Sequence, residues 1–379
     1  MRSEWQEATL GEIVNFRRGH DLTRKNMNPE GRYPVVGSNG VIGFHDSYTL
    51  KGPLLTIGRS GNVGTPYFLE GAGWAHNTTL YVDDFKENEP RFIYYFLQTI
   101  PFAQYGGGSA VPTLNRNHIH PLKVIYPKKV SIQKAIAATL SCLDAKIEVN
   151  NKIIKNLEQQ AQAIFKSWFV DFEPFQDGEF VESELGLIPK GWKLLRFGDF
   201  IASRNEYGNN PKVPTYSVTN TGLHLRRDIF KRRLSSSETK NKVLYKGDLV
   251  FGMSRNILNW GIMKDRIGEV SSAYQVYEIN QKVINSWYVE LFIDQQIHYF
   301  YNLIRPASRE GQGVDRGLLP TKYIYIPPID WVDRYLDVIE PIKKGQKISE
   351  QQNTTLAALR NTLLPKLMSG EIEVPVEQD

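Results

Sequence analysis

From Ile136 the apolar residues recur at Leu140, Leu143, Ile147, Ile154, Leu157, Ala161, Ile164 and Trp168, alternately four and three apart. Asn150 fills the one remaining slot. A seam of this period predicts a coiled-coil-type helix. At about 1.5 Å per residue it is about 50 Å long, more than the helices of compact domains. A lone Asn in such a seam fixes register or partner at some cost in stability. Ser131 is the expected N-cap, and Pro174 with Gln176-Asp177-Gly178 ends the element and opens a linker. A weaker seam follows at Tyr335, Ile339, Ile342, Gln346, Ser349, Asn353, Leu356, Arg360, Leu363 and Leu367, with its polar residues mostly in the middle. Pro341 is expected to disrupt its start and Pro365 its end. The stretch from Glu350 to Leu364 holds neither Pro nor Gly and still reads as helix. Two long helices, each with a polar interruption, bury their seams most simply against each other. The expected arrangement is an antiparallel pair that acts as a spacer.

Elsewhere the apolar runs are short and punctuated by Gly and Pro, which predicts strands. In the first half these are Tyr33 to Gly37, Leu54 to Ile57, Pro66 to Leu69 and Thr78 to Val82. In the second they are Thr215 to Val218, Leu249 to Gly252 and Ala273 to Ile279. A short aromatic-rich helix is expected in each half, Pro90 to Thr99 and Trp287 to Asn302, with its rings in a core rather than stacked on bases. The fold class predicted is α+β: two tandem globular domains of mixed strands and short helices, separated by two long helices packed as an antiparallel coiled coil. Domains are placed at 1–130 and 191–328, helices at 131–173 and 329–372, a linker at 174–190 and a tail at 373–379.

The chain also repeats itself. Trp5 with Leu10-Gly11 returns as Trp192 with Phe197-Gly198. Lys51-Gly52 before an apolar run returns as Lys246-Gly247, and Ile125-Tyr126-Pro127 returns as Tyr325-Ile326-Pro327. A period this long means duplication of a whole domain with its helix, not a solenoid. Most other residues differ, so one scaffold presents two surfaces.

At 379 residues and 41% hydrophobic content the chain supports two domains with substantial cores. The N-terminus lacks the apolar core of a signal peptide, and no apolar stretch is long enough to span a bilayer. The single cysteine, Cys142, excludes an internal disulfide and reads as a buried, inert thiol in a helix; a cytoplasmic location fits. The net charge of +5 is modest, but its placement is informative. Arg17, Arg18, Arg24 and Lys25 cluster in the first copy, and Arg226, Arg227, Lys231, Arg232 and Arg233 in the second. Two clusters, one per copy, point to a polyanion.

Gly58-Arg59-Ser60-Gly61-Asn62-Val63-Gly64 lacks the ending of a phosphate-cradling loop, and strand-like residues follow where a helix is required. As a Gly-rich turn it presents Arg59, Ser60 and Asn62, and its counterpart carries Ser254, Arg255 and Asn256. An Arg in both suits guanine edges and phosphates alike. A second pair of loops leads to Asn115-Arg116-Asn117 and, through Arg309, to Asp315-Arg316. His118 and His120 lack a third ligand of matching spacing and read as structural. No nuclease, methyltransferase or nucleophile constellation stands out, so no catalysis is expected from this chain alone.

A repeated module that ends in a Tyr-Pro or Ile-Pro strand and is followed by a long heptad helix resembles the specificity subunit of type I restriction-modification enzymes. The resemblance covers essentially the whole chain through the module openings, the runs Lys51 to Gly61 and Lys246 to Arg255, and the two helical segments. It implies two target-recognition domains, each reading half of a bipartite double-stranded DNA site, with the helices setting the gap. It further implies two methyltransferase (modification) subunits carrying S-adenosylmethionine, and restriction subunits using ATP and Mg, with no cofactor on this chain and no membrane. The rival readings are a DNA-binding protein that dimerises through its helices and a stand-alone nuclease or methyltransferase.

Overall fold

The computed structural model describes residues 4–106, 113–208, 210, 212–229, 241–254, 257–304 and 314–375. The chain divides into two compact units, Met1–Ile154 with Lys347–Asp379, and Lys155–Gln346. The long helices run over Val130–Phe169 and Ile329–Met368, so each contributes one segment to each unit.

In the first unit a four-stranded antiparallel sheet has the spatial order Asn15–Arg18, Thr79–Asp84, Leu54–Gly58, Pro66–Leu69. Side chains alternate across a strand, and here both faces are covered. Leu55, Ile57, Leu80 and Val82 enter the main core with Phe92, Ile93 and Phe96 of the helix Pro90–Gln98. Leu54 and Tyr81 enter a smaller cluster with Val36 and Ala75. A strand pair, Trp5–Thr9 with Lys123–Pro127, leads into the first long helix. Gln133 fastens that helix to the globular part: it is fully buried, accepts from the Glu89 amide at 2.8 Å, and donates to Asn88 Oδ1 at 2.7 Å and the Pro127 carbonyl at 2.8 Å.

The second unit repeats this plan. Its four-stranded sheet has the order Ile201–Ser203, Gln275–Ile279, Leu249–Phe251, Trp260–Ile262, and Lys193–Arg196 pairs with Tyr323–Ile326. Leu249, Phe251 and Tyr277 face the main core, while Val250 and Val276 face a second cluster. The repeated Lys-Gly pairs have a backbone cause. Gly52 has φ +115° and Gly247 φ +92°, a region that disfavours any side chain. The stretch 287–302 is not one helix: it is split into Ser286–Gln295, Ile297–Phe300 and a final turn Tyr301–Leu303. Its aromatic residues Tyr288, Phe292 and Phe300 are core, as expected.

The helix segments pair antiparallel within each unit. In the first, Ile136 and Leu140 share the core with Leu367 and Met368, while Leu143, Ile147, Ile154, Leu356 and Leu363 are half-buried. Asn150, 1% exposed, donates to Gln352 Oε1 at 3.2 Å and Asn353 Oδ1 at 3.0 Å, and Asn353 donates to Asn151 Oδ1 at 2.8 Å. Two turns away Arg360 donates to Asp144 Oδ1 at 2.6 Å, and the Tyr95 hydroxyl donates to Asp144 Oδ2 at 2.6 Å. The polar centre of the second seam is therefore a hydrogen-bonded layer, not a fault in the helix. In the second unit Leu157 lies against Gly345, and Ala161, Ile164 and Trp168 line the aromatic core.

Several expectations are corrected. The second helix continues through Pro341 and Pro365. The carbonyls these prolines deprive of a donor belong to Asp337 and Asn361, both exposed residues, so the missing bonds fall on the solvent side of the helix and leave no buried acceptor there. Ser131 lies inside the first turn rather than capping it, because the helix already begins at Val130. Cys142 is exposed, since it falls between the seam positions Leu140 and Leu143 and faces outward.

Candidate nucleic-acid interface

In the first unit the expected basic residues separate by strand alternation. Arg17 is tied to Asp83 at 2.9 Å on one face of its edge strand, and Arg18 reaches Asp21 at 3.0 Å on the other. Arg24 and Lys25 stand exposed on the single turn Arg24–Asn26. Arg59 and Ser60 leave the central strand in a hairpin rather than a strand-to-helix loop: Leu54–Gly58 turns back to pair with Pro66–Leu69. Arg59 and Ser60 both donate their amides to the Thr78 carbonyl, at 2.8 and 3.2 Å, and Ser60 bridges to Thr113. Asn62 is half-buried in the same turn.

One network was not visible in the linear order. Asn77 donates its amide to Asp21 Oδ1, which Arg18 also contacts, while Arg59 Nη1 donates to the Asn77 carbonyl at 3.4 Å. Arg18, Asp21, Asn77 and Arg59 thus form one hydrogen-bonded chain across three segments. The Asn77 hydrogen bond above all, aided by Arg18, His76 and Arg59, holds the Asp21 carboxyl below its usual range, so it is ionised near neutral pH. The Trp74 ring lies nearby between two imidazoles, edge-on to His20 and tilted against His45, with centroids 6.1 and 4.8 Å away.

The second pair of loops has a structural core. Asn115 Oδ1 accepts from the Asn117 amide at 3.0 Å, and Asp315 Oδ1 accepts from the Gly317 and Leu318 amides at 2.8 and 3.1 Å. Both residues close the turn that precedes the last strand, which leaves Arg116 and Arg316 exposed beside it. His120 is structural too. Its Nε2 accepts from the Phe16 amide at 3.1 Å, and burial, then Arg116, pulls its pKa down and keeps the ring neutral. Among the described residues no group of three His, Cys, Asp or Glu side chains is placed to hold a metal ion.

The second unit carries different chemistry on the same sheet. Arg204, which follows the edge strand as Gly19 does in the first copy, is clamped by Asp248 at 2.7 and 3.2 Å and lies over the Tyr245 ring at 4.9 Å. Arg226 and Arg227 start the single turn Arg226–Ile229, with Arg227 largely exposed 3.5 Å from Asp228. Ser254 is fully buried and accepts from the Asn259 amide at 2.9 Å, so its hydroxyl serves the turn and not a surface. Arg255, Asn256, Arg309 and the basic run Lys231 to Arg233 lie outside the described residues. A cavity of about 560 Å³ beside the hairpin Tyr216–Leu225 is lined by Asp228, Asp265 and Glu290 as well as Lys264, a charge balance unsuited to phosphate.

Comparison with known proteins converges. Residues 2–159 match the family model of the type I restriction modification DNA specificity domain. The type I restriction enzyme MjaIX specificity subunit of Methanocaldococcus jannaschii is 29% identical over 309 residues, 75% of this chain and 69% of its own length. The HindI specificity subunit of Haemophilus influenzae is 30% identical over 165 residues, 43% of this chain and 31% of its own. The crystal structure of a type I restriction-modification S subunit from M. genitalium covers 96% of both chains with a TM-score of 0.56 at 14% identity, a likeness of fold.

Proposed function

We propose that the chain, whose residues 2–159 match the type I restriction modification DNA specificity domain, is a specificity subunit of that family and that each globular copy reads one half of a bipartite double-stranded DNA site. The observation that carries this is the duplication itself: one sheet order occurs twice, with a surface Arg18–Asp21–Asn77–Arg59 network on one copy and a half-buried Arg204–Asp248 clamp on the other. Equal scaffolds with unequal polar groups suit two different base sequences. Arg17, Arg24, Lys25 and Arg116 in the first copy, and Arg226, Arg227 and Arg316 in the second, serve as phosphate contacts that position the domains.

The long helices act as the ruler between half-sites, and the Asn150–Asn353 layer keeps them in register. The chain supplies recognition, while methyl transfer belongs to two modification subunits carrying S-adenosylmethionine and cleavage to restriction subunits using ATP and Mg. The helices also offer a docking face. Val149 and Ile153, one turn apart and off the seam, are 47% and 41% exposed; Ile348 is 45% exposed and holds the place of Val149 in the repeat. Two equivalent apolar positions suit two copies of one partner. Val149→Glu with Ile348→Glu is expected to abolish co-purification with the modification subunit, while stability shifts by no more than about 0.5 kcal/mol, as at other exposed sites. Retained complex with both substitutions counts against this face.

The decisive experiment reconstitutes the chain with its modification subunits and maps methylated adenines in treated DNA. A two-part, asymmetric site is expected, and Arg59→Ala should weaken preference in one half only. Equal loss in both halves sinks the two-reader model. Tight, site-specific binding by the isolated chain with no effect on any methyltransferase favours the stand-alone DNA-binding reading instead.

A further inference from the structure

Asp21 sits oddly on a surface meant for a polyanion. It is an ionised, 74% exposed carboxylate among arginines, where phosphate oxygens would be repelled. It is nevertheless held firmly. Gly19 passes so close to the neighbouring segment that an added Cβ would lie 2.1 Å from the His76 carbonyl oxygen, so only glycine permits the approach. The His20 amide donates to the Ala75 carbonyl at 2.7 Å, and His76 Nε2 lies 3.1 Å from the Leu22 carbonyl. These clamps bracket Asp21 on both sides. Arg18 and Asn77 both bond Oδ1, and among the described residues nothing donates to Oδ2. One oxygen is used to fix the carboxylate and the other is left as a pre-organised acceptor. A fixed acceptor pays little ordering entropy when it binds.

In the major groove the exocyclic N4 amine of cytosine is a donor read by Asp or Glu, whereas adenine is read bidentately by Asn or Gln. We propose that Asp21 Oδ2 accepts a hydrogen bond from the N4 amine of a cytosine in the half-site read by the first copy, which makes Asp21 a specificity-determining residue. This rests on the two-reader function proposed above.

The test uses the reconstituted modification complex and duplex libraries randomised in the first half-site, with methylation read by sequencing. For the Asp21→Asn and Asp21→Ala variants, preference for cytosine at one position should fall about tenfold or more, the equivalent of one lost base contact. Preferences at the other positions and throughout the second half-site should hold. Arg18→Ala serves as the control, because it removes the same ion pair and leaves the carboxylate. An unchanged profile overturns the proposal. So does a uniform fall across sequences, or a profile matching Arg18→Ala, since either means that Asp21 only positions Arg18. If the wild-type complex shows no two-part preference, the two-reader function fails and the proposal falls with it, an outcome distinct from a wild-type preference that the variants leave unchanged. Thermal melts of each variant, unchanged at so exposed a site, separate lost reading from lost folding.

Discussion

Deleting residues 154–160 together with 341–347, which spares Val149, Ile153 and Ile348, is expected to leave both half-site sequences intact and to shorten the gap between them by about three base pairs. Seven helical residues at about 1.5 Å each remove about 10 Å, and base pairs are about 3.4 Å apart. The two segments are chosen so that Asn150 stays opposite Asn353 and Asp144 opposite Arg360, contacts at 3.0 and 2.6 Å that the deletions do not touch. Whole heptads keep the seams in phase. Deleting 154–160 alone has a different outcome. Phe165 and Tyr335 are packed 5.9 Å apart in the second unit while Asn150 is bonded to Asn353 in the first, so one helix would have to bulge by a heptad, and activity should be lost. Mapping methylated adenines with each reconstituted variant provides the measurement. An unchanged gap in the double deletion removes the ruler role.

The largest loss of stability is expected for Phe169→Ala, about 3–5 kcal/mol, the usual range when a buried aromatic is truncated and its cavity only partly collapses. Phe169 is fully buried. Its ring centroid lies 5.1 Å from Phe165, 6.0 Å from Trp192, 5.7 Å from Tyr288 and 5.0 Å from Tyr335. It therefore ties the opening of the second module, that module's short helix and the second long helix to the end of the first. Urea unfolding of the variant beside wild type measures the cost. A difference under about 1 kcal/mol would mean that the cluster refills the space and that Phe169 is not its centre.

These two cases show how far the linear pattern reached. The heptad from Ile136 to Leu157 was legible because two helices bury one stripe each, and a stripe leaves a period. Past Ala161 the legibility fails. Ile164 and Trp168 keep the period but are only half-buried, while Phe165 and Phe169 are fully buried. There the helix faces a globular core as well as its partner helix, so a wider face is covered and a single seam no longer describes it. The second seam failed in the opposite sense. Its Asn353 and Arg360 read as interruptions because their partners, Asn150 and Asp144, lie some two hundred residues away.

Of the polar surface proposed to meet DNA, the components were legible in the sequence and their connections were not. Clustered arginines and a Gly-rich hairpin marked the first copy's surface. Nothing in the spacing of Arg18, Asp21, Arg59 and Asn77 announced that they share one network, and nothing marked Ser254 as buried.

By itself the sequence determined that a module with its helix occurs twice, and that the helices are long. Positive-φ glycines and apolar periods are local demands of the backbone, so they are written at fixed places in the chain. Only the tertiary structure decided which polar side chains are spent inside the fold and which remain for a ligand. A hydrogen bond depends on distance and angle between groups, and those are settled by packing of segments far apart in sequence.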